Sequence, residues 1–513
     1  MNRFKDLILK AIADYKVFFL FLIFQNLICT VFAQNQIFDL DSIHQSVYHE
    51  AIQLKTISAK KQILTLKEQY PDNLATIFVE EIADFYAVLA LSSRDAFELY
   101  KSKNSERITL FENCEVKSPF IKFSLAEFYI HRAITRVFFG EKIKAVFDLK
   151  KANSYANKNI TEYPLFRLND KPKSLLNIIF GSIPPSIKWA SALMSMNGDY
   201  NKGIVELNRL LNYTYVNKNE YCFFSEILTY KTIISQRSTA SNSDIRTLSM
   251  YFNTFSVKNE LTKNYLLIYA WGDYQIKNGQ NDAAINIFSS MQKSEDYIPF
   301  WTIEFLWGIA LQNKLDEACV RHFNAYIQGV RTGNYVNASY QRLAWQSIIN
   351  QNPQGYFKYI RLINKKDNIT EQDQAANFEQ QSNLQPNIQL LKARLLFDGG
   401  YYLKSQEELR KINIHKMAGK IFVLEYYYRM ARILDKLKNH TQSLILYNKV
   451  IIDGSSIENY YAANAALNAG NICESTNDKT KAVFYYKKCL SLSPNQYKES
   501  IHQKAKIGLE RLK

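Results

Sequence analysis

Glycine and proline are scarce in this 513-residue chain, 16 and 10 respectively, which excludes the many tight turns of an all-β sandwich or barrel. Cysteine is scarcer still, six in all, with no CxxC pair and no spacing that suits a zinc site or a dense disulfide framework. A Walker loop, GxGxxG, HExxH and a nucleophile elbow are all missing, so no catalytic site, cofactor or metal is expected and the chain reads as non-enzymatic. His44 and His49 lie beside Glu50, but a spacing of five is poor for two ligands on one helical face, and they read as ordinary surface histidines. After residue 33 no apolar run approaches the ~20 residues of a membrane span.

The first 33 residues differ from the rest. Arg3, Lys5, Lys10 and Lys16 precede the apolar run VFFLFLIF, and LICTVFA then ends at Ala33 with small residues before a cut. That order of charge, apolar core and small residues is a secretory signal, with cleavage expected before Gln34. Acylation at Cys29 fits less well because Ile28 is bulky where that processing wants a small residue. Retention as an anchor also fits less well, because Val17 to Ala33 is short and carries Gln25 and Asn26. Removing residues 1–33 takes away four basic and two acidic residues and lowers the net charge from +16 to +14. Paired lysines such as Lys60-Lys61, Lys150-Lys151 and Lys365-Lys366 are dispersed along the chain, which suits a solvated face and not a nucleic-acid stripe. Of the five remaining cysteines, Cys473 and Cys489 fall on the two helices of one pair, where they are able to meet.

Apolar residues recur every three or four places nearly throughout, the signature of amphipathic helices. Superimposed on that period is a second one. Small residues stand twelve apart at Ala133/Ala145, Ser191/Gly203, Gly272/Ala284, Ala393/Ser405, Ala431/Ser443 and Gly470/Ala482. Seven places after the first member of each pair come Gly140, Gly198, Gly279, Gly400, Lys438 and Asn477, where a left-handed residue would end a helix. A small residue on each of two antiparallel helices, with a terminator between, describes a helical hairpin that must stack on a neighbour to cover its apolar face.

In the unit 463–496, Gly470, Ala482, Tyr486 and Pro494 fit the pattern of the tetratricopeptide repeat family, which this chain resembles. The fold implied is all-α, a tetratricopeptide-like helical-hairpin solenoid. Five segments are expected: a signal peptide (1–33), irregular N-terminal helices (34–115), a degenerate hairpin array (116–363), a polar linker, long loop or exposed helix (364–386), and a regular array with a capping helix (387–513). In that last helix Ile501, Ala505, Gly508 and Leu512 form one stripe, and lysines cover the face turned to water.

By the resemblance, the first helix of each hairpin lines a concave groove, which places Arg394, Arg432, Asn471 and Tyr428 there. Two arginines and a tyrosine in register suit an acidic or carboxylate-bearing peptide. The expected function is therefore a protein-protein interaction scaffold without nucleic-acid partners. Composition rich in Lys, Asn, Ile, Tyr and Phe, with an Ala-Gln processing site, resembles exported proteins of the Bacteroidetes. This implies a bacterial cell-envelope protein, in the periplasm or on the periplasmic face of the outer membrane. The alternative is a glycan-binding component of an outer-membrane nutrient-uptake system, which exposed Trp and Tyr platforms would support.

Overall fold

The computed structural model describes residues 36–182, 198–236, 242–366, 370–382 and 384–512. The expected signal segment and Ser191 lie outside them. Apart from a single bridge between Ile37 and Asn73, the described residues are helical or in turns, and they build the expected solenoid of antiparallel helix pairs. Among these pairs are Pro119–Phe138 with Lys142–Glu162, Tyr265–Lys277 with Asn281–Ser289, and Ile388–Asp398 with Tyr402–Arg410. Lys420–Lys436 with His440–Gly454 and Tyr461–Ser475 with Lys479–Ser491 complete the regular array. No described helix is long and apolar enough to cross a membrane.

Local chemistry fixes where the helices begin. The Asn439 side chain accepts from the Gln442 amide and Asp478 from the Lys481 amide, each satisfying a donor that the first turn leaves open. Ser118 caps the helix that Pro119 opens, a place where proline's missing N–H costs nothing. The small-residue pairs mark the closest approach. Ser405 Oγ donates to Ala393 O at 2.6 Å and Ser443 Oγ to Ala431 O at 2.8 Å. At Gly470 a Cβ would lie 2.6 Å from the Tyr486 ring, and at Gly272 one would lie 2.3 Å from Phe288. Glycine there makes room for the aromatic ring of the facing helix.

Five of the six turn positions are left-handed: Gly140, Gly279, Gly400, Lys438 and Asn477. Gly198 is not, and is required instead by crowding, since a Cβ there would meet Phe180 and the Asn177 carbonyl. The same register continues where the sequence shows no glycine. Leu315, seven after Gly308, and Gln351, seven after Ala344, also have positive φ, and end the first helices of the pairs Trp301–Asn313 with Cys319–Val330 and Val336–Ile349 with Pro353–Ile360.

The array curls until distant parts of the chain touch. Gly279 and Gly400, both in turns, pack so closely that a Cβ on Gly400 would lie 1.9 Å from Gly279 O. Asn334 Nδ2 donates to Phe138 O at 3.0 Å. Near the end of the chain, Gln503 Nε2 donates to Ser182 O at 3.0 Å, and the Ser500 amide to Glu371 Oε1 at 3.0 Å.

Three expectations need correction. The polar stretch 364–386 holds the helix Glu371–Ser382, in which Asp373, Ala375, Ala376 and Asn377 are buried; small alanines on one face suffice to seat so polar a helix. The terminal helix Lys498–Arg511 seats Ile501, Ala505 and Gly508 against the last hairpin, but its other face turns into the curl of the array and is not simply turned to water. His44 is fully buried, with Nδ1 2.8 Å from Asp41 and Nε2 2.9 Å from Thr76 Oγ1. His49 is only partly exposed and contacts Glu260 at 2.6 Å. Both histidines join helices.

Candidate functional site

Curling forms a half-open cavity of about 770 Å³ whose walls come from residues between Ile233 and Lys504. Five cations line it, Lys277, Arg342, Arg432, Lys436 and Lys504, against three carboxylates, Asp273, Asp398 and Asp435. Lys277 is paired with Asp273 at 2.6 Å and Arg432 with Asp398 at 3.3 Å. Arg342 lies over the Trp345 ring at 5.0 Å and donates to Gln312 Oε1. No described carboxylate comes within 4.0 Å of Arg342, Lys436 or Lys504.

The half-open geometry makes this excess charge costly. Burial, and then the Arg394 guanidinium, bring Arg342 down to about 10. Burial lowers Lys436 below the usual lysine range, helped by Arg432 and Lys438 and opposed by Asp435. For Lys504 the causes are burial and then the cations of Lys277 and Arg432, which outweigh Glu371. Water reaches the Lys436 and Lys504 side chains, yet protein surrounds them. An anion entering this lumen would relieve the repulsion.

The four residues placed in the groove by register separate here. Arg432 and Asn471 line the lumen. Asn471 is partly engaged, since its Oδ1 accepts from Tyr486 Oη at 2.8 Å. Arg394 lines a separate cleft of about 130 Å³, with its guanidinium over Trp345 at 4.6 Å and Nε 3.9 Å from Asp398. Arg432 lies over Phe397 at 4.0 Å, so both arginines pack on rings and share one carboxylate; neither stands free to wait for a ligand. Tyr428 is fully buried, and its hydroxyl accepts from Asn464 Nδ2 at 2.7 Å. It belongs to the core and not to the groove. Lys277, Arg342, Lys436 and Lys504 carried no signal in the repeat register, because curling alone brings them together.

A second polar centre lies buried in the N-terminal half. Lys171 Nζ sits 2.5 Å from Glu127 and 2.6 Å from Glu226, and all three are inaccessible to solvent. Glu226 also accepts from Tyr48, from Tyr86 at 2.6 Å and from Tyr230 at 2.9 Å. His131 Nδ1 lies 2.8 Å from Glu81. Glu127, His131 and Glu226 are close enough to chelate a metal, but the Lys171 ammonium already supplies the cation between the two glutamates. The spacing of Glu127 and His131, four apart on one helix, was the available sequence signal for this cluster. All five cysteines of the described chain are free thiols, Cys473 and Cys489 included, and four are buried.

Comparison with known proteins agrees with the hairpins. The tetratricopeptide repeat family profile matches residues 424–451 and 463–496, the last two full pairs. No curated protein matches the chain. Among solved structures it is similar to the crystal structure of yeast Tom70, at 12% identity and a TM-score of 0.22, over 92% of this chain and 97% of that one.

Proposed function

We propose that this protein is a non-enzymatic interaction scaffold that holds an extended, anionic segment of a partner protein in the lumen of its curled array. Stacked helical hairpins present long inner surfaces suited to such binding, and the tetratricopeptide-like pairs supply them here. One observation carries the choice of ligand: Arg342, Lys436 and Lys504 line the lumen without a described carboxylate partner. Burial strengthens any charge-assisted contact made there. The signal-like N-terminal segment and the composition support a place for this scaffold in the bacterial cell envelope, in the periplasm or on the periplasmic face of the outer membrane.

The glycan-binding alternative needs flat aromatic platforms open to solvent. Trp345 is buried under Arg342 and Arg394, Trp271 stacks on Phe252 at 3.9 Å and Trp307 on His322 at 4.4 Å. These rings are spent within the protein, which favours the scaffold reading.

Lys436→Glu tests it. The side chain is exposed and makes no ion pair, so folding should be unaffected, while the lumen loses two units of positive charge. Immobilised full-length protein should recover a discrete partner from envelope extract, and the variant should recover much less at an unchanged melting temperature. Equal recovery by both proteins contradicts the lumen as the binding surface.

A further inference from the structure

Beside the lumen lies a second chamber of different chemistry. It measures about 390 Å³ and is walled largely by hydrocarbon, including Leu89, Ile134, Phe138, Ile178, Ile234 and Ile507. Its size falls within the roughly 300–1,000 Å³ of small-molecule sites. Ile233, Tyr269, Thr302 and Tyr335 line both this chamber and the basic lumen, so the two adjoin. Several polar groups on the apolar side are already engaged: Tyr86 and Tyr230 donate to Glu226, and the Gln503 amide donates to Ser182 O.

At the junction stands the terminal helix. Ile507 and Gln503 face the apolar chamber, and Lys504, three residues before Ile507 and so on the same helical face, points into the basic lumen. No described carboxylate lies within 4.0 Å of its ammonium, whose charged neighbours include Lys277 and Arg432.

We propose that this junction binds a single-chain amphiphile with one carboxylate, of the fatty-acid class, its chain in the apolar chamber and its carboxylate on Lys504. Apolar cavities of this kind stay dry and accept hydrocarbon. A peptide is the poorer occupant of the inner chamber, because its backbone N–H and C=O groups would be buried against walls that are largely hydrocarbon. A hydrocarbon chain brings no such demand. This assignment shares Lys504 with the scaffold reading but does not rest on it, and it is tested without any partner protein.

Calorimetric titration of delipidated full-length protein with dodecanoate, below its micellar concentration, should show saturable one-to-one binding. Lys504→Ala should weaken dodecanoate by about tenfold, the scale of one charge-assisted contact, and leave dodecanol unchanged. Ile234→Trp, which places a larger ring in the chamber, should weaken both ligands. Because Lys504 is wetted and unpaired, its variant keeps the fold and isolates the head-group contact. Absence of binding to the wild-type chain, or dodecanoate affinity unmoved by Lys504→Ala, overturns the proposal.

Discussion

At the scale of single residues, the buried cluster around Lys171 decides how the N-terminal half responds to pH. Burial works against a charged His131, but the Glu81 carboxylate, with Glu127 behind it, outweighs burial and raises the histidine above its ordinary 6.5. Glu127 is raised as well, chiefly by burial, against the pull of Lys171 and His131. A group whose folded pKa exceeds its unfolded one stabilises the fold while protonated and loses that contribution as pH rises through the folded value. Both shifts therefore have the same sign. Glu226 is lowered, with Lys171 foremost against the cost of burial, and its contribution is lost only on the acid side, below 4.5. The melting temperature should fall as pH is raised from 6.5 through the elevated pKa of His131, and His131→Gln should flatten that fall. Parallel curves for the two proteins would assign the pH response elsewhere. Glu127 and His131 stand four apart on one helix, but Lys171 and Glu226 reach them from other helices, and no spacing reveals that. Register alone likewise put Tyr428 beside Arg432 without distinguishing a core ring from a groove ring.

At the scale of helices and turns, the twelve-residue interval was legible because it reflects a steric need, the close approach of two backbones. Left-handed turns were legible where the twelve-residue interval marks the hairpin, at Lys438 as well as at glycine and asparagine, although Gly198 in that register is not left-handed. Leu315 and Gln351 adopt the same conformation at a cost of about 1–2 kcal/mol each relative to a right-handed residue, and nothing in their side chains announces it. Opposite substitutions follow. Lys438 is exposed with a φ of +65°, so Lys438→Gly should stabilise by up to about 1 kcal/mol, the strain relieved less the added freedom of the unfolded chain. Gly400→Ala should destabilise by about 1–3 kcal/mol, because its methyl group meets Gly279 O in the neighbouring turn. Urea denaturation of the two variants checks the pair of signs. A stabilising Gly400→Ala would mean that the two turns do not dock.

At the scale of the molecule, hairpins 121 residues apart meet at Gly279 and Gly400, and the terminal helix returns to Ser182. Closure of this kind depends on small rotations accumulated from one pair to the next, so the repeat could be read from sequence while the lumen could not. The register placed Arg432 and Asn471 on the first helices, and both line the lumen; Lys277, Arg342, Lys436 and Lys504 come together only when the array has curled. The most direct measurement places a photo-crosslinking amino acid at Asn468, in the lumen wall, or at exposed Phe147, in the full chain exposed to envelope extract. A discrete protein adduct from position 468, abolished by Lys436→Glu and absent from position 147, is the result predicted. An adduct from position 147 with none from 468 would contradict binding in the lumen.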